Sequence, residues 1–532
     1  MNLFEQSSSR SPKKNKFNLS HEKKLTLNMG TLVPMLVQEV VPGDSFRVNS
    51  QVFVRFLALI APIMHKVDVS CFYFFVPNRL IWANWTQWIT GGEDGLSAIS
   101  YPKFNIRTAF TTSNAFARDG SLLDYLGFPT VGLAEAIDVS YAAAEYSALP
   151  LRAYQLIYDQ YFRNENVEVS QLGPNFMSDG SMAGVDYNAM FTLRQSMWEK
   201  DFFTSALPWT QRGAEVSLPI NVTVPTTGIP GGNIPFFRNY ATGAKLIPAA
   251  SAAVKNQITD GQLLAAGASG DTVAYYDPNG SLSATNLTIN ALRLSVRLQE
   301  WLEKNARGGG RYVEVLLMHF GVLSSDARLQ RVEYLGGGKQ PVIISEVLTT
   351  GNTAGGVAPG TMAGHGMSLG GNMGFTKSMF EEHGQVMGIL RIKPKTSYQN
   401  FMPYYWGRLI RTDYYWPSFA HLGEAPVRNF NVWNNFNVAG AAADGTIFGY
   451  QSRYAEYKFN QDAVHGQFKT ALSFWHLGRI FAAAPALNTA FVAANPRSDI
   501  FAVSADVHHV IVQIFHSIDA VRPMPYFGVP EL

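Results

Sequence analysis

Gly366-Met367-Ser368-Leu369-Gly370 fits G-x-S-x-G, a pattern that yields a nucleophilic serine when a strand drives into a strained turn and a helix leaves it. Here Ala-Gly-Gly-Val-Ala-Pro-Gly leads in with no strand pattern, and Gly-Asn-Met-Gly-Phe leads out with no helix pattern. Chance in a glycine-rich stretch accounts for the match. Leu335-Gly-Gly-Gly-Lys339 places a lysine after glycines, as phosphate loops do, but Gln340 stands where a serine or threonine should follow. Ala306-Arg-Gly-Gly-Gly-Arg311 closes a helical pattern rather than opening one, the wrong polarity for holding a phosphate. The eleven histidines are scattered, and none forms H-E-x-x-H. His508 and His509 are adjacent in a predicted strand and so face opposite ways; His516 stands further along, and Glu382-His383 is a lone pair. The single cysteine, Cys71, excludes thiolate cages and an intrachain disulfide. No catalytic set, metal site or cofactor site is expected, and the chain is not expected to be an enzyme.

Cations carry the remaining chemistry. Residues 1–30 hold Arg10, Lys13, Lys14, Lys16, Lys23 and Lys24 against Glu5 and Glu22, leaving 36 basic and 38 acidic residues over the rest of the chain. The whole-chain net charge of +2 is too small to imply a nucleic-acid partner by itself. Six cations on a polar, Ser- and Asn-rich segment suit phosphate neutralisation by a flexible arm, with counterion release supplying the affinity. The competing reading is a solubilising tail.

The elements behind these residues are mainly β. Val52–Ile60 and Val67–Val76 are strand patterns ending near Pro62 and Pro77, with order beginning near Leu32. The second turns wholly apolar, as a strand buried on both faces would. Val507–Ile514, leading into Arg522-Pro-Met-Pro-Tyr-Phe527, is a C-terminal strand region. Short helices intervene: Trp82, Trp85 and Trp88 at three-residue spacing, then Leu151–Phe162 with Tyr154, Ile157, Tyr158 and Tyr161 on one face. The longest helix is expected over Thr288–Ala306, with Leu294, Leu298, Trp301 and Leu302 as its apolar face. Residues 224–285 read as a surface insertion and residues 349–376 as a Gly-rich loop, since stretches this long inside a domain are uncommon and usually functional.

Across 532 residues only 15% are charged, against a usual value of about 25%, while 13% are aromatic. That profile suits a loop-rich β protein whose surface is largely covered by contacts, and excludes a coiled coil. The start lacks an apolar signal core, and the longest apolar run, Phe56–Met64, is well short of the roughly 18 residues a membrane span needs. A soluble protein of a reducing compartment is expected, without membrane insertion.

Asn78-Arg-Leu-Ile-Trp-Ala-Asn-Trp85, Leu151-Arg-Ala-Tyr-Gln-Leu-Ile-Tyr158, Phe162-Arg-Asn-Glu-Asn166 and Ala206-Leu-Pro-Trp209 form an ordered series. It continues through Ala306–Tyr312, His319-Phe-Gly-Val322, Ser325–Arg331 with Glu333-Tyr-Leu-Gly-Gly337, Phe380-Glu-Glu-His-Gly384, Gly449–Tyr457 and Arg522-Pro-Met-Pro525. Together these resemble the signature stretches of the major capsid protein of the Microviridae, small single-stranded-DNA bacteriophages, and most of all its gokushovirus branch. Val332 departs from the proline the family usually places before Glu-Tyr-Leu-Gly-Gly, and residues 224–285 match none of its motifs.

The resemblance implies an eight-stranded antiparallel jelly roll over residues 31–532, assembled through pentamers into a T=1 icosahedral shell around single-stranded DNA. It also implies a virion protein assembled in the host cytoplasm, with the 224–285 insertion as a three-fold protrusion engaged in host attachment. Its expected partners are copies of itself, the DNA genome, a bacterial surface receptor and a small basic DNA-binding virion protein. The alternatives are a lectin-like β-sandwich that binds carbohydrate and, third, a hydrolase using Ser368.

Overall fold

In Ser45–Phe56 every even-numbered residue is buried, and the same parity holds from Val510 to Ala520. Period-two burial of this kind makes half-buried strands. The computed structural model describes residues 13–131, 144–183, 186–216, 288–348, 362–435, 445–503 and 506–527, with four two-residue strands between 222 and 284. Its main strands are β1 (Asn15–Asn18), β2 (His21–Leu27), β3 (Leu32–Val40), β4 (Ser45–Phe56), β5 (Val67–Pro77), β6 (Glu333–Leu348), β7 (Met362–Lys377), β8 (Gly384–Pro394) and β9 (Val510–Arg522). They run antiparallel in the order β1-β9-β4-β7-β6-β5-β8-β3, with β2 also on β9.

β2 pairs with Val510–His516 and β1 with Asp519–Arg522, so the two are halves of one edge strand. β6 pairs with β5 through Glu333–Val342 and with β7 through Ile343–Leu348, passing from one sheet to the other. Two four-stranded sheets result, β2-β9-β4-β7 and β6-β5-β8-β3. This is the jelly roll expected from the sequence, with eight strand positions.

β5 has no solvent face. Val67, Val69, Cys71, Tyr73 and Phe75 enter the core between the sheets. Phe74 and Val76 enter a second core with Trp82, Leu151 and Tyr154, built from the chain between β5 and β6. Helices α1 (Trp85–Thr90) and α2 (Leu149–Ile157) belong to that cover, and α2 runs on into a π-helical turn at Tyr158–Phe162. Trp82, Trp85 and Trp88 pack on one another with ring centroids 5.5–6.0 Å apart. The segment between β8 and β9, joined by Phe203 and Ala206, makes a third core around Tyr398, Val427, Phe448 and Phe491. Contacts divide the chain into one unit of residues 1–212 with 303–532 and a second, Gly213–Leu302. In the second, Val222-Thr223 pairs with Ser283-Ala284, bringing together the two ends of the expected insertion. The rest of that insertion lies largely outside the described residues.

A polar strut crosses the core. Tyr73 donates to Ser50 Oγ at 2.6 Å, Ser50 and His516 Nδ1 are 2.7 Å apart, and His516 Nε2 is 3.2 Å from the Met35 carbonyl. A carbonyl only accepts, which assigns the proton to Nε2 and makes Nδ1 the acceptor from Ser50. Burial, with His21 and Lys23 nearby, holds His516 down at about 4.

Two expectations change. The arm over residues 1–30 is shorter than its composition implies: from Asn15 onward it is strand, because backbone pairing with β9 does not depend on side-chain hydrophobicity. The Gly-rich loop over 349–376 is also shorter, since residues 362–376 are strand β7. Its glycines mark close approaches. A Cβ on Gly366 would sit 2.8 Å from the Phe56 ring, and one on Gly374 would run into the Val48 carbonyl.

Gly366→Leu should therefore destabilise the fold by about 1–3 kcal/mol through overpacking; an unchanged melting temperature would contradict this contact. His516 sets a pH dependence. Its folded pKa lies below the unfolded value near 6.5, so its contribution is complete above that value and is lost as pH falls toward about 4. The loss reaches roughly 3 kcal/mol. Melting curves of His516→Gln should fall less steeply between those two pH values than those of the parent chain, and parallel curves would refute the assignment.

Candidate functional site

The six cations of the first thirty residues do not share one surface. Arg10 lies outside the described residues, and Lys13 is exposed at their start. Lys14 donates to the Gly43 carbonyl at 2.7 Å, and Lys16 on β1 pairs with Asp519 at 3.1 Å. Along β2 the parity separates two neighbours. Lys24 faces outward, whereas Lys23 shares the inner side with Leu25 and Leu27 and donates to the carbonyls of Pro34 and Tyr125 at 3.1 and 2.6 Å. Burial lowers the Lys23 ammonium to about 8. The structure thus leaves Lys13, Lys14, Lys16 and Lys24 at the surface and commits Lys23 to the fold.

The outer face of the β2-β9-β4-β7 sheet extends this surface. β4 exposes Arg47, Gln51 and Arg55, and β9 exposes Ile511, Gln513 and Phe515. The Arg55 guanidinium lies 5.6 Å from the Phe53 ring centroid. Cations interleaved with rings suit a single nucleic-acid strand, where phosphates are neutralised and bases stack. Arg47 and Arg55 sit at an even spacing within one strand, which was the signal for a shared face.

A second exposed surface lies between β8 and β9. Tyr404-Tyr405-Trp406 and Tyr414-Tyr415-Trp416 bracket a short stretch in which Trp406 is 67% and Leu409 87% exposed. Arg408 fixes it from beneath: its guanidinium lies 4.1 Å from the Tyr457 ring centroid and pairs with Glu456 at 3.3 Å. With about 200 Å² per ring, five half-exposed rings present roughly 500 Å², before Leu409 and Ile410 are added. The largest apolar patch of a monomer is typically about 300–600 Å², and a stable interface covers about 800 Å² per partner. Beside the ridge is a cavity of about 680 Å³ lined by Phe401, Tyr404, Arg408 and Tyr457. Asn431, also in its wall, is buried with Oδ1 unpartnered. Two Tyr-Tyr-Trp triplets ten residues apart were the sequence signal.

The residues that suggested catalysis are spent otherwise. Ser368 lies mid-strand in β7 and donates to the Pro341 carbonyl at 2.7 Å, so no strand–turn–helix exposes it. His508 meets Thr26 Oγ1 at 2.9 Å and His509 meets Asn28 Oδ1 at 2.8 Å, both just before β9 begins at Val510. Burial pushes the Cys71 thiol up to about 12, which leaves it inert. Arg307 is held by Glu424 and by Gln451 at 3.0 Å, and Arg311 donates to the carbonyls of Asp159 and Arg163. Among the described residues, no three groups of metal-ligating type converge, and no helix is long and apolar enough to cross a membrane.

Comparison with known proteins agrees with this picture. Residues 6–532 match the family model described as capsid protein (F protein). The chain is 36% identical to capsid protein VP1 of Bdellovibrio phage phiMH2K, over 97% of this chain and 95% of that protein. It is 32% identical to capsid protein VP1 of Chlamydia phage 1, over 100% and 98%, and 26% identical to that of Spiroplasma virus 4, over 98% and 95%. A jelly roll whose reactive groups are tied into its own packing, matched over nearly its whole length, belongs to the phage capsid protein (F protein) family of the Microviridae, and its role is structural rather than enzymatic.

Proposed function

We propose that this chain assembles, through pentamers, into a T=1 icosahedral shell that encloses a single-stranded DNA genome. The observation that carries the reading is the ridge from Tyr405 to Trp416, whose exposed apolar area is at the upper end of what an isolated chain normally leaves in water. In a closed symmetric shell such a surface is covered by a neighbouring copy. The cavity beside it offers that neighbour a recess. Full-length matches to three proteins named capsid protein VP1 support the same reading.

Residues 1–14 and the outer face carrying Lys24, Arg47 and Arg55 are assigned to the genome side. A small basic virion protein is compatible with that side as a further partner. The 224–285 insertion is assigned to a bacterial surface receptor, and assembly to the host cytoplasm.

Purified chain should form large uniform particles in negative-stain images, and a preparation that stays monomeric at high concentration would sink the shell reading. Trp406→Ser with Leu409→Lys should reduce particle yield at least tenfold at an unchanged melting temperature. Full yield would remove the ridge from the interface. For the arm, deletion of residues 1–12 with Lys13→Ala and Lys14→Ala leaves β1 in place. Loss of three phosphate contacts should lower the log–log salt slope of DNA binding by about 2; an identical slope would show that the arm does not touch the genome.

A further inference from the structure

Arg391 and Lys393 flank Ile392 on β8 and therefore project from the same face of the β6-β5-β8-β3 sheet. Lys393 is 7% exposed, and among the described residues its ammonium has one hydrogen-bond partner, the Met197 carbonyl at 3.1 Å. Arg391 stacks over Phe72 with its guanidinium 4.8 Å from the ring centroid, and its buried Nε is unpartnered. Neither cation forms an ion pair within the described residues. The nearby carboxylates are engaged elsewhere: Asp68 with Lys339 at 2.9 Å and with Lys66 at 3.8 Å, Glu199 with Lys339 at 4.0 Å.

Both side chains line a cavity of about 360 Å³, closed by the 161–166 turn, residues 197–200 and the Gly308-Gly309 loop. The other arginines in its wall are already neutralised. Arg163 pairs with Asp159 at 2.8 Å, Arg307 with Glu424, and Arg311 with Glu165 and Glu314 at 3.7 Å each. Lys200, also in the wall, is exposed to solvent, so the buried uncompensated charge belongs to the two residues on β8. Two like charges side by side and largely out of water are costly unless an anion joins them. In agreement, burial and the neighbouring Arg391 hold the Lys393 ammonium down at about 7, with Lys339 on β6 adding to the repulsion and Glu199 and Asp68 on β5 opposing it.

We propose that this cavity binds a phosphate-class oxyanion, with the free edge of the Arg391 guanidinium and the Lys393 ammonium as its two donors. A guanidinium fork matches tetrahedral oxyanions and an ammonium adds a point charge. The anion is either free phosphate or one phosphate of a nucleic-acid strand, and the site does not depend on shell assembly.

Melting temperature and calorimetric titration of the full chain test this at pH 7, comparing inorganic phosphate with chloride at matched ionic strength. Phosphate should raise the melting temperature by about 2–4 °C and bind once per chain. Lys393→Met, which keeps the stem and removes the buried charge, should melt higher than the parent in chloride and gain nothing from phosphate. Arg391→Gln should lose most of the phosphate response while still folding. An equal response in parent and both variants, or none in the parent, overturns the site. Competition with an oligothymidylate then identifies the source. Displacement of bound phosphate assigns the site to a strand backbone, and retention assigns it to free phosphate; either result supports the site.

Discussion

A strand buried on both faces cannot end a domain. β5 sends Tyr73 into the space between the sheets and Phe74, the next residue, into a separate core on the other side. The sheet that contains it must be covered from without as well as from within. The chain between β5 and β6 supplies that cover, with Trp82, Leu151 and Tyr154 packed against Phe74 and Val76. The apolar sequence of β5 thus dictates more than one strand: it requires a long excursion that returns onto the sheet it left.

Much of this was legible in the sequence. The wholly apolar run in β5 signalled burial on both faces, and the strand patterns at Val52–Ile60 and Val507–Ile514 overlap β4 and β9. The tryptophan spacing and the tyrosine face of α2 pointed to packed helices, and the longest helix runs Ile289–Gly308, close to the expected range. What escaped was structure that does not rest on side-chain hydrophobicity. β1 and β2 are held by backbone bonds to β9 despite their lysines. β7 looked like loop because glycine ordinarily signals turns, whereas its glycines make room for Phe56 and the Val48 carbonyl.

The candidate site residues divide along similar lines. The basic character of the first thirty residues was plain, but composition does not reveal which way a side chain points. Lys23 and Lys24 are neighbours with opposite fates, one donating to buried carbonyls and the other outward. Arg391 and Lys393 drew no notice, because two cations in an apolar strand look like ordinary surface residues until the fold covers them. The polar groups that look reactive serve mostly as struts. Ser50, Tyr73 and His516 link the two sheets, while Arg479 lies 4.1 Å from the Phe491 ring centroid and donates to the Phe491 carbonyl at 2.6 Å. Long insertions need such fixed points, and a group held in this way is not free for turnover.

The split edge strand also governs the ends of the polypeptide. Asn15 is in register with Arg522, its amide donates to the Met524 carbonyl at 2.7 Å, and the Phe17 and Tyr526 rings stack at 5.7 Å. The first and last described strands therefore lie side by side at a common corner. A circularly permuted version could be joined between Asn15 and Met524 without spanning the molecule.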